Sequence, residues 1–377
     1  MSWPIRSGPR VRICDVLAAL DAIAPPELAE PWDNVGLLVG DPAAECRRAI
    51  VTLETDLGLL RRAASRGADL IVSHHPPIFE PLKRLVADAT TGRLVLEAAR
   101  AGVALAAAHT NYDVAPGGVN DVLAGLLGLQ RVEPLARTER SPRAKIVVFT
   151  PQEDREAVIA ALSAAGAGVI GEYRECMFRS AGTATFRPLA DARPTKGRAG
   201  RREEVEELRL EAIVPLALAD RAAAAARAAH SCEEPAIDIY PLGGQRLEVG
   251  IGRCGRLPEP VPALDLIERI KRKLGVRLVR VVGPTRRKVA TMGLCAGSGG
   301  RYVQEAARRG CDLYLTGDLS HHQALDAAAA GLLVADAGHA ATEAPAIPAL
   351  ARRLAEGCPG VEFEVARGAW RRLFKTC

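Results

Sequence analysis

The sequence predicts an α/β fold in which two related α/β halves form one metal-binding core, interrupted by an inserted ferredoxin-like α+β domain. Three observations lead there. Short apolar strands alternate with helical stretches and end on histidine-bearing turns, the place where open α/β sheets put their ligands. Arg66-Gly67-Ala68-Asp69-Leu70-Ile71-Val72-Ser73 is echoed by Arg309-Gly310-Cys311-Asp312-Leu313-Tyr314-Leu315-Thr316. Between about Lys145 and Leu242 the rhythm changes. A chain of 377 residues exceeds one usual core, and the expected division is 1–140 and 251–377 as the halves of the core, with 141–250 as the insert.

Ile13, Val16, Leu17, Leu20 and Ile23 follow helical spacing, and Pro25-Pro26 stops that helix before the turn-rich Trp32-Asp33-Asn34-Val35-Gly36. A strand over Ala49 to Leu53 and a helix over Leu57 to Arg66 come next. The apolar strand Asp69-Leu70-Ile71-Val72 then ends on Ser73-His74-His75, and a second, Val103 to Ala108, ends on His109. Gly102-Val103-Ala104-Leu105 before His109 matches Gly331-Leu332-Leu333-Val334 before His339, so the second half repeats the theme. Two such halves can face one another across a pseudo-twofold axis, with strand ends meeting in a cleft.

The insert reads as a strand (Lys145 to Thr150), a helix (Asp154 to Ala165), a strand, an Arg/Pro/Gly-rich loop (Arg187 to Arg202), a strand (Glu206 to Val214), a helix (Leu218 to His230) and a last strand (Ala236 to Tyr240). That order is ferredoxin-like. The alternating charges from Arg201 to Leu210 suit a solvated face.

Six of the seven histidines fall in three short segments: His74 and His75, then His109, then His321 and His322 running on to His339. His339 and Glu343 are four apart, so a helix from Ala340 to Leu350 would project both toward one point, with Pro345 and Pro348 testing its continuity. Asp113, four past His109, adds a hard oxygen. Imidazole and carboxylate without thiolate suit a catalytic or mixed Zn, Mn, Fe or Ni centre better than a closed structural zinc.

Several residues carry two readings. At a strand end His74 and His75 reach different metals, whereas in a continuing strand they would point to opposite faces. His109 orients Asp113, binds substrate or is core structure. His321 and His322 open a helix, either exposed or lining a cavity; Asp318 caps that helix or contacts substrate or a ligand histidine. Gly297-Ser298-Gly299-Gly300 cradles a phosphate or reverses the chain.

Composition narrows the remaining classes. Nine cysteines spread singly, with no C-x-x-C pair, speak against a disulfide framework and a cysteine zinc cluster. No stretch reaches 18 apolar residues and the N-terminus lacks a signal-like apolar core, so a reducing cytoplasm is the expected location and no membrane partner is expected. The net charge of +5 is spread among 50 basic and 45 acidic residues, and aromatics are only 4%, so no specific nucleic-acid partner is expected.

Taken as a set, Trp32-Asp33-Asn34-Val35-Gly36-Leu37, Ser73-His74-His75-Pro76-Pro77-Ile78-Phe79, Ala108-His109-Thr110-Asn111-Tyr112-Asp113, Thr316-Gly317-Asp318 and Gly338-His339-Ala340-Ala341-Thr342-Glu343 resemble the Nif-three-like dinuclear-metal-centre proteins, the GTP cyclohydrolase 1 type 2 homologues. Gly171-Glu172-Tyr173, Gly182-Thr183-Ala184-Thr185-Phe186-Arg187-Pro188 and the stretch from His230 to Leu242 resemble the longer bacterial form, with Ser231-Cys232 where that family usually has Pro-Tyr. The resemblance implies that His74, His75, Asp113, His339 and Glu343 hold two divalent metals per chain, zinc foremost, with Glu343 bridging. It also implies a ring-shaped homohexamer, a trimer of dimers, capped by CutA/P-II-like inserts. The expected activity is a dinuclear hydrolase using a metal-bridged hydroxide on a nucleotide or related small molecule, with Glu343 and His322 as candidate catalytic residues. The alternative is a non-catalytic, metal-binding or regulatory assembly.

Overall fold

The computed structural model describes residues 11–137, 143–170, 173–193, 195, 197–242 and 249–366. The chain separates into two compact units, one of Met1–Thr138 with Glu248–Cys377 and one of Glu139–Leu247.

The first part of the larger unit opens with α1 (Ile13–Ile23), which buries Ile13, Val16, Leu20 and Ile23 on one face. The Arg12 N–H donates to the Asp15 carboxylate at 2.7 Å, satisfying one donor at its start. Then follow β1 (Gly36–Val39), β2 (Arg48–Thr52), α2 (Leu57–Ser65), β3 (Leu70–Ser73), α3 (Thr90–Ala101), β4 (Ala104–Ala107), α4 (Thr110–Val114), α5 (Val119–Leu127) and β5 (Gln130–Arg137). Asp56 caps α2 by accepting the Leu59 N–H at 2.6 Å. Strands β2, β3 and β4 are parallel, with β1 antiparallel at the edge beside β4. Leu70, Ile71 and Val72 are all fully buried, because helices cover both faces of this sheet.

The smaller unit holds β6 (Arg143–Thr150), α6 (Arg155–Ala164), β7 (Met177–Phe186), β8 (Glu203–Pro215), α7 (Ala219–Ala228) and β9 (Ile237–Pro241). Its sheet order is β7-β8-β6-β9 with every neighbouring pair antiparallel, the arrangement of a split βαβ unit. Alternate residues Ala144, Ile146 and Val148 of β6 enter a core with Val158 and Leu162 of α6 and Ala222 and Ala226 of α7.

The chain returns to the larger unit with β10 (Gly250–Pro262), α8 (Ala263–Leu274), β11 (Arg280–Val282), β12 (Lys288–Leu294), α9 (Val303–Arg308), β13 (Leu313–Thr316), α10 (His321–Ala329), β14 (Leu333–Asp336), α11 (His339–Glu343), α12 (Ala346–Gly357) and β15 (Glu362–Val365). The two sheets of this unit run β1-β4-β3-β2-β15 and β11-β14-β13-β12-β10-β5. The first therefore contains four consecutive parallel strands (β4, β3, β2 and β15) and the second three (β14, β13 and β12), each beside an antiparallel edge, β1 in one and β11 in the other. One large core joins them: Leu70 and Val72 of the first sheet and Leu313 and Leu315 of the second pack with Leu20 of α1, Leu123 of α5, Leu266 of α8 and Leu350 of α12. Helices α2 and α3 cover the outer face of the first sheet, and α9 with α10 the outer face of the second.

Three features differ from the sequence reading. Strands β1, β5, β10, β11 and β15 and helices α3, α5 and α8 are not among the expected elements, and β15 pairs with β2, so the last described strand joins the first sheet. The helix expected over Ala340 to Leu350 is two, α11 and α12, parted at Ala344 and Pro345. A proline cannot supply the N–H that continues a helical ladder, whereas Pro348 sits in the first turn of α12, where none is needed.

Candidate metal centre

Sequence positions 73 to 75 carry the backbone out of β3: the His74 N–H donates to Thr52 O at 3.0 Å and the His75 N–H to Leu53 O at 2.9 Å. His74 is fully buried. Its Nδ1 lies 2.9 Å from Ala108 O, and since a carbonyl only accepts, Nδ1 holds the proton and Nε2 presents a lone pair. That Nε2 is 3.6 Å from Asp113 Oδ1 and 3.7 Å from Glu343 Oε1. His75 and His74, with ring centroids 5.1 Å apart, both enter the same cluster.

His75 Nε2 lies 3.1 Å from Glu343 Oε2 and 3.2 Å from His339 Nε2. His339 Nε2 is 3.1 Å from Glu343 Oε1, so the two carboxylate oxygens of Glu343 face different histidines. The second nitrogens are also held. His339 Nδ1 meets Asp318 Oδ2 at 2.7 Å, and His75 Nδ1 lies 3.5 Å from Glu54 Oε1. The expected cluster His74, His75, Asp113, His339 and Glu343 thus comes together, supplied by the ends of β3, β4 and β14 through α4 and α11.

Two hydrogen-bonded links fix these ends to one another. Asn120 donates to Asp113 O at 3.0 Å and accepts the Ala296 N–H at 2.9 Å. Thr342 Oγ1 accepts the Gly297 N–H at 2.9 Å. The first joins the two halves of the sequence, and the second ties α11 to the turn after β12 within the second half.

The polar bookkeeping of the cluster does not close with protein groups. His74 Nε2, Asp113 Oδ1 and Glu343 Oε2 are buried without a hydrogen-bond partner, a costly condition in a folded protein. His75, His339 and Glu343 offer ligand atoms within 4.8 Å of one another, as do His74, His75 and His109, so His75 belongs to both groups. Three imidazoles, two carboxylates and no thiolate fit a divalent cation of borderline or hard character.

The titration behaviour points the same way. Burial opposes a charged His75, yet Glu343 and Glu54 outweigh it and push the imidazole up to about 10. Burial likewise opposes charge on His339, which Glu343 and Asp318 raise to about 9. Burial lifts Asp113 to about 6 against the pull of His74, with Glu343 adding to the rise. Glu343 is held well below its ordinary range despite its burial, by the imidazoles of His339, His74 and His75. Protons gather where a cation would neutralise the same carboxylates.

Four polar residues around the cluster escaped the sequence reading: Asp33, Glu54, Asn120 and Thr342. His109 meets Asp33 Oδ1 through Nδ1 at 2.8 Å, and Asp33 Oδ2 also accepts the Thr110 N–H at 2.9 Å. The signal for Asp33 was its place in a turn rich in polar residues, and for Glu54 its position just past β2; neither points to a partner across the fold. His321 and His322 are exposed at the start of α10, with rings 5.8 Å apart, and Ser320 with Gln323 caps that helix. Among the described residues, no hydrogen bond or ion pair joins His322 to the five clustered residues. Asp318 contacts a candidate ligand histidine, one of its two readings. His230 is engaged in the smaller unit, with Nε2 2.9 Å from Phe149 O.

Two α/β sheets presenting three imidazoles and two carboxylates at their strand ends define an α/β protein with a candidate histidine–carboxylate metal centre. The chain belongs to the Duf34/NIF3 (NGG1p interacting factor 3) family, whose model matches residues 11–369. It is 39% identical over 350 residues to the GTP cyclohydrolase 1 type 2 homolog of Bacillus subtilis, covering 93% of this chain and 94% of that one. The homolog of the same name in Mycobacterium tuberculosis is 36% identical over 341 residues, 89% of each chain. Among solved structures, the Bacillus cereus protein related to NIF3 is 34% identical with a TM-score of 0.70, covering 98% of this chain and 100% of that one. Among the described residues no helix is long and apolar enough to cross a membrane.

Proposed function

We propose that this chain is a metal-dependent hydrolase of a nucleotide or related small molecule, with two divalent cations per chain held by His74, His75, Asp113, His339 and Glu343. The observation that carries the reading is the convergence of three buried atoms that lack a hydrogen-bond partner, His74 Nε2, Asp113 Oδ1 and Glu343 Oε2. Paired cations, zinc foremost with manganese, iron or nickel as candidates, supply a Lewis acid and lower the pKa of a bound water. The guanine nucleotide comes from the name of the relatives, which makes GTP the first substrate to try.

The protein's own contribution is orientation and charge. Ala108 O fixes the tautomer of His74, and Asp318 fixes that of His339, so both Nε2 atoms face inward before any ligand arrives. The separate engagement of the Glu343 oxygens with His339 and His75 suits a bridging carboxylate. Glu54 adds negative charge beside His75 and is a group able to take a proton at the margin of the cluster. The placement of His322, exposed on α10, supports a role in the chemistry less than a role in contacting substrate.

A second reading is a metal-holding regulatory assembly without turnover. A cavity of about 580 Å³ lies wholly within the inserted unit, lined among others by Phe149, Phe186, Val205 and His230, and supports a ligand-sensing role for that unit. A CutA/P-II-like identity of the insert and a hexamer built as a trimer of dimers belong to the same proposal. Exposed Leu82, Leu85 and Val86 are apolar surface suited to a contact between copies. Metal-dependent turnover of a nucleotide panel by the purified protein, abolished in Glu343→Ala with folding retained, supports the hydrolase. Metal-loaded protein that turns over nothing favours the second reading.

A further inference from the structure

We propose that Trp32 and Phe79 form a stacking platform for a planar heteroaromatic ring, of purine size, in the molecule that reaches the histidine–carboxylate cluster. The proposal rests on the substrate reading above and specifies its chemical class. It starts from an imbalance. The chain holds three tryptophans and six phenylalanines, yet Trp32 and Phe79 are each 52% exposed. Large apolar rings left in water beside a polar centre are the informative kind of exposure.

Their placement is specific. The two rings lie 5.7 Å apart at 53°, and His109 sits 6.1 Å from Trp32 and 6.3 Å from Phe79. The His109 ring is in turn 5.3 Å from His74 and 5.5 Å from His75. A continuous series of rings thus leads from the solvent-exposed pair to the clustered histidines. A molecule with its ring on the platform and its reacting group at the cluster spans that series.

The platform is also held in place without a ligand. Asn34 Nδ2 donates to Ile78 O at 2.7 Å and ties the two ring-bearing loops together. Asp33, between Trp32 and Asn34, holds His109 and the Thr110 N–H. Consecutive residues therefore supply a ring, an orienting carboxylate and a tether. Pre-set rings lose little freedom on binding, and base–aromatic stacking tolerates any base because every base has a π-face. The platform accordingly selects ring-bearing molecules over ring-free ones and does not choose between purines.

The test uses metal-loaded, full-length protein and equilibrium dialysis of guanosine monophosphate, adenosine monophosphate and ribose 5-phosphate. Native protein should hold both nucleotides about tenfold more tightly than ribose 5-phosphate. Trp32→Ala and Phe79→Ala should each remove most of that preference, with metal content, melting temperature and ribose 5-phosphate affinity unchanged, and Trp32→Phe should keep it. Equal affinity of native protein for all three probes would overturn the proposal. So would Trp32→Ala shifting the elution volume toward a smaller assembly with nucleotide affinity intact, which assigns the rings to a contact between copies. Dialysis needs no turnover: ring preference without hydrolysis of any substrate sinks the hydrolase reading alone, and hydrolysis without ring preference sinks this one alone.

Discussion

Gly297 and Glu343 occupy space that only a glycine can leave free: a Cβ at position 297 would sit 2.1 Å from Glu343 Oε1. Gly297 also has φ +65°, in the left-handed region. The glycine-rich turn after β12 thus has a visible task, making room for the carboxylate that faces His75 and His339.

Gly297→Ala should therefore displace Glu343 and lower metal content well below that of native protein. Gly67→Ala serves as the control, since φ +68° brings backbone strain there but nothing lies within 4 Å of the new Cβ. It should cost about 1 kcal/mol in a denaturant titration and leave the metal content unchanged. Equal metal loss in the two variants would show that Gly297 acts through strain and not through Glu343.

The internal repeat was legible because one small motif recurs with the same hydrogen bonds. Asp69 Oδ2 accepts the N–H groups of Arg47 and Arg48, and Asp312 Oδ2 those of Ala290 and Thr291, at 2.7 to 3.0 Å in all. Gly67 and Gly310, two residues earlier, share a φ of +68°. Such local chemistry leaves a readable imprint of glycine, then aspartate, then an apolar strand. His74 and His75 were legible for a similar reason, lying just beyond such a strand, and His339 with Glu343 through their spacing of four residues after another short apolar strand. Edge strand β1 and the return of β15 to the first sheet were not, because short half-buried strands are decided by long-range pairing. Asp33 and Glu54 stayed hidden because a carboxylate's partner across the fold has no sequence signature.

Asp33 gives a stability prediction with a definite pH sign. Burial opposes its charge, but the hydrogen bonds of His109 and Thr110 prevail and hold its carboxyl down to about 2. A carboxyl whose folded value lies below its unfolded one stabilises the fold above the unfolded value and loses that contribution as pH falls toward the folded one. Asp33→Asn should lower stability by on the order of 1–2 kcal/mol near neutral pH. The gap from native protein should narrow between about pH 4 and pH 2, as followed by denaturant titration. A gap independent of pH would mean the carboxylate charge is immaterial.

Arg253 is 4% exposed and donates to both Asp121 oxygens, at 2.5 and 2.7 Å, and to Gly250 O and Gly252 O at 2.8 and 2.7 Å. This one side chain fastens α5 to β10. Arg253→Ala removes the donors to four acceptor oxygens and should destabilise the larger unit by about 3 kcal/mol. Arg253→Lys should recover only part, since an ammonium cannot reproduce the fork. Chemical denaturation of the three proteins with matched slopes decides it, and a loss under 1 kcal/mol would speak against the role.

Arg137 and Gly250 are cross-strand partners in the antiparallel pair β5 and β10. Removing residues 138–249 and joining these two with Asn-Gly should close a hairpin where the insert leaves and returns. The shortened protein should fold and take up as much metal per chain as the full chain. A shortened protein that is insoluble and metal-free would contradict the independence of the larger unit.

The most direct measurement is elemental analysis of metal bound per chain after reconstitution and removal of excess ion. The cluster of His74, His75, Asp113, His339 and Glu343 predicts about two divalent ions per chain, with the content falling sharply in Glu343→Gln and in the double variant His74→Ala plus His339→Ala. Native protein that retains no metal, or variants that keep the full native content, would contradict it.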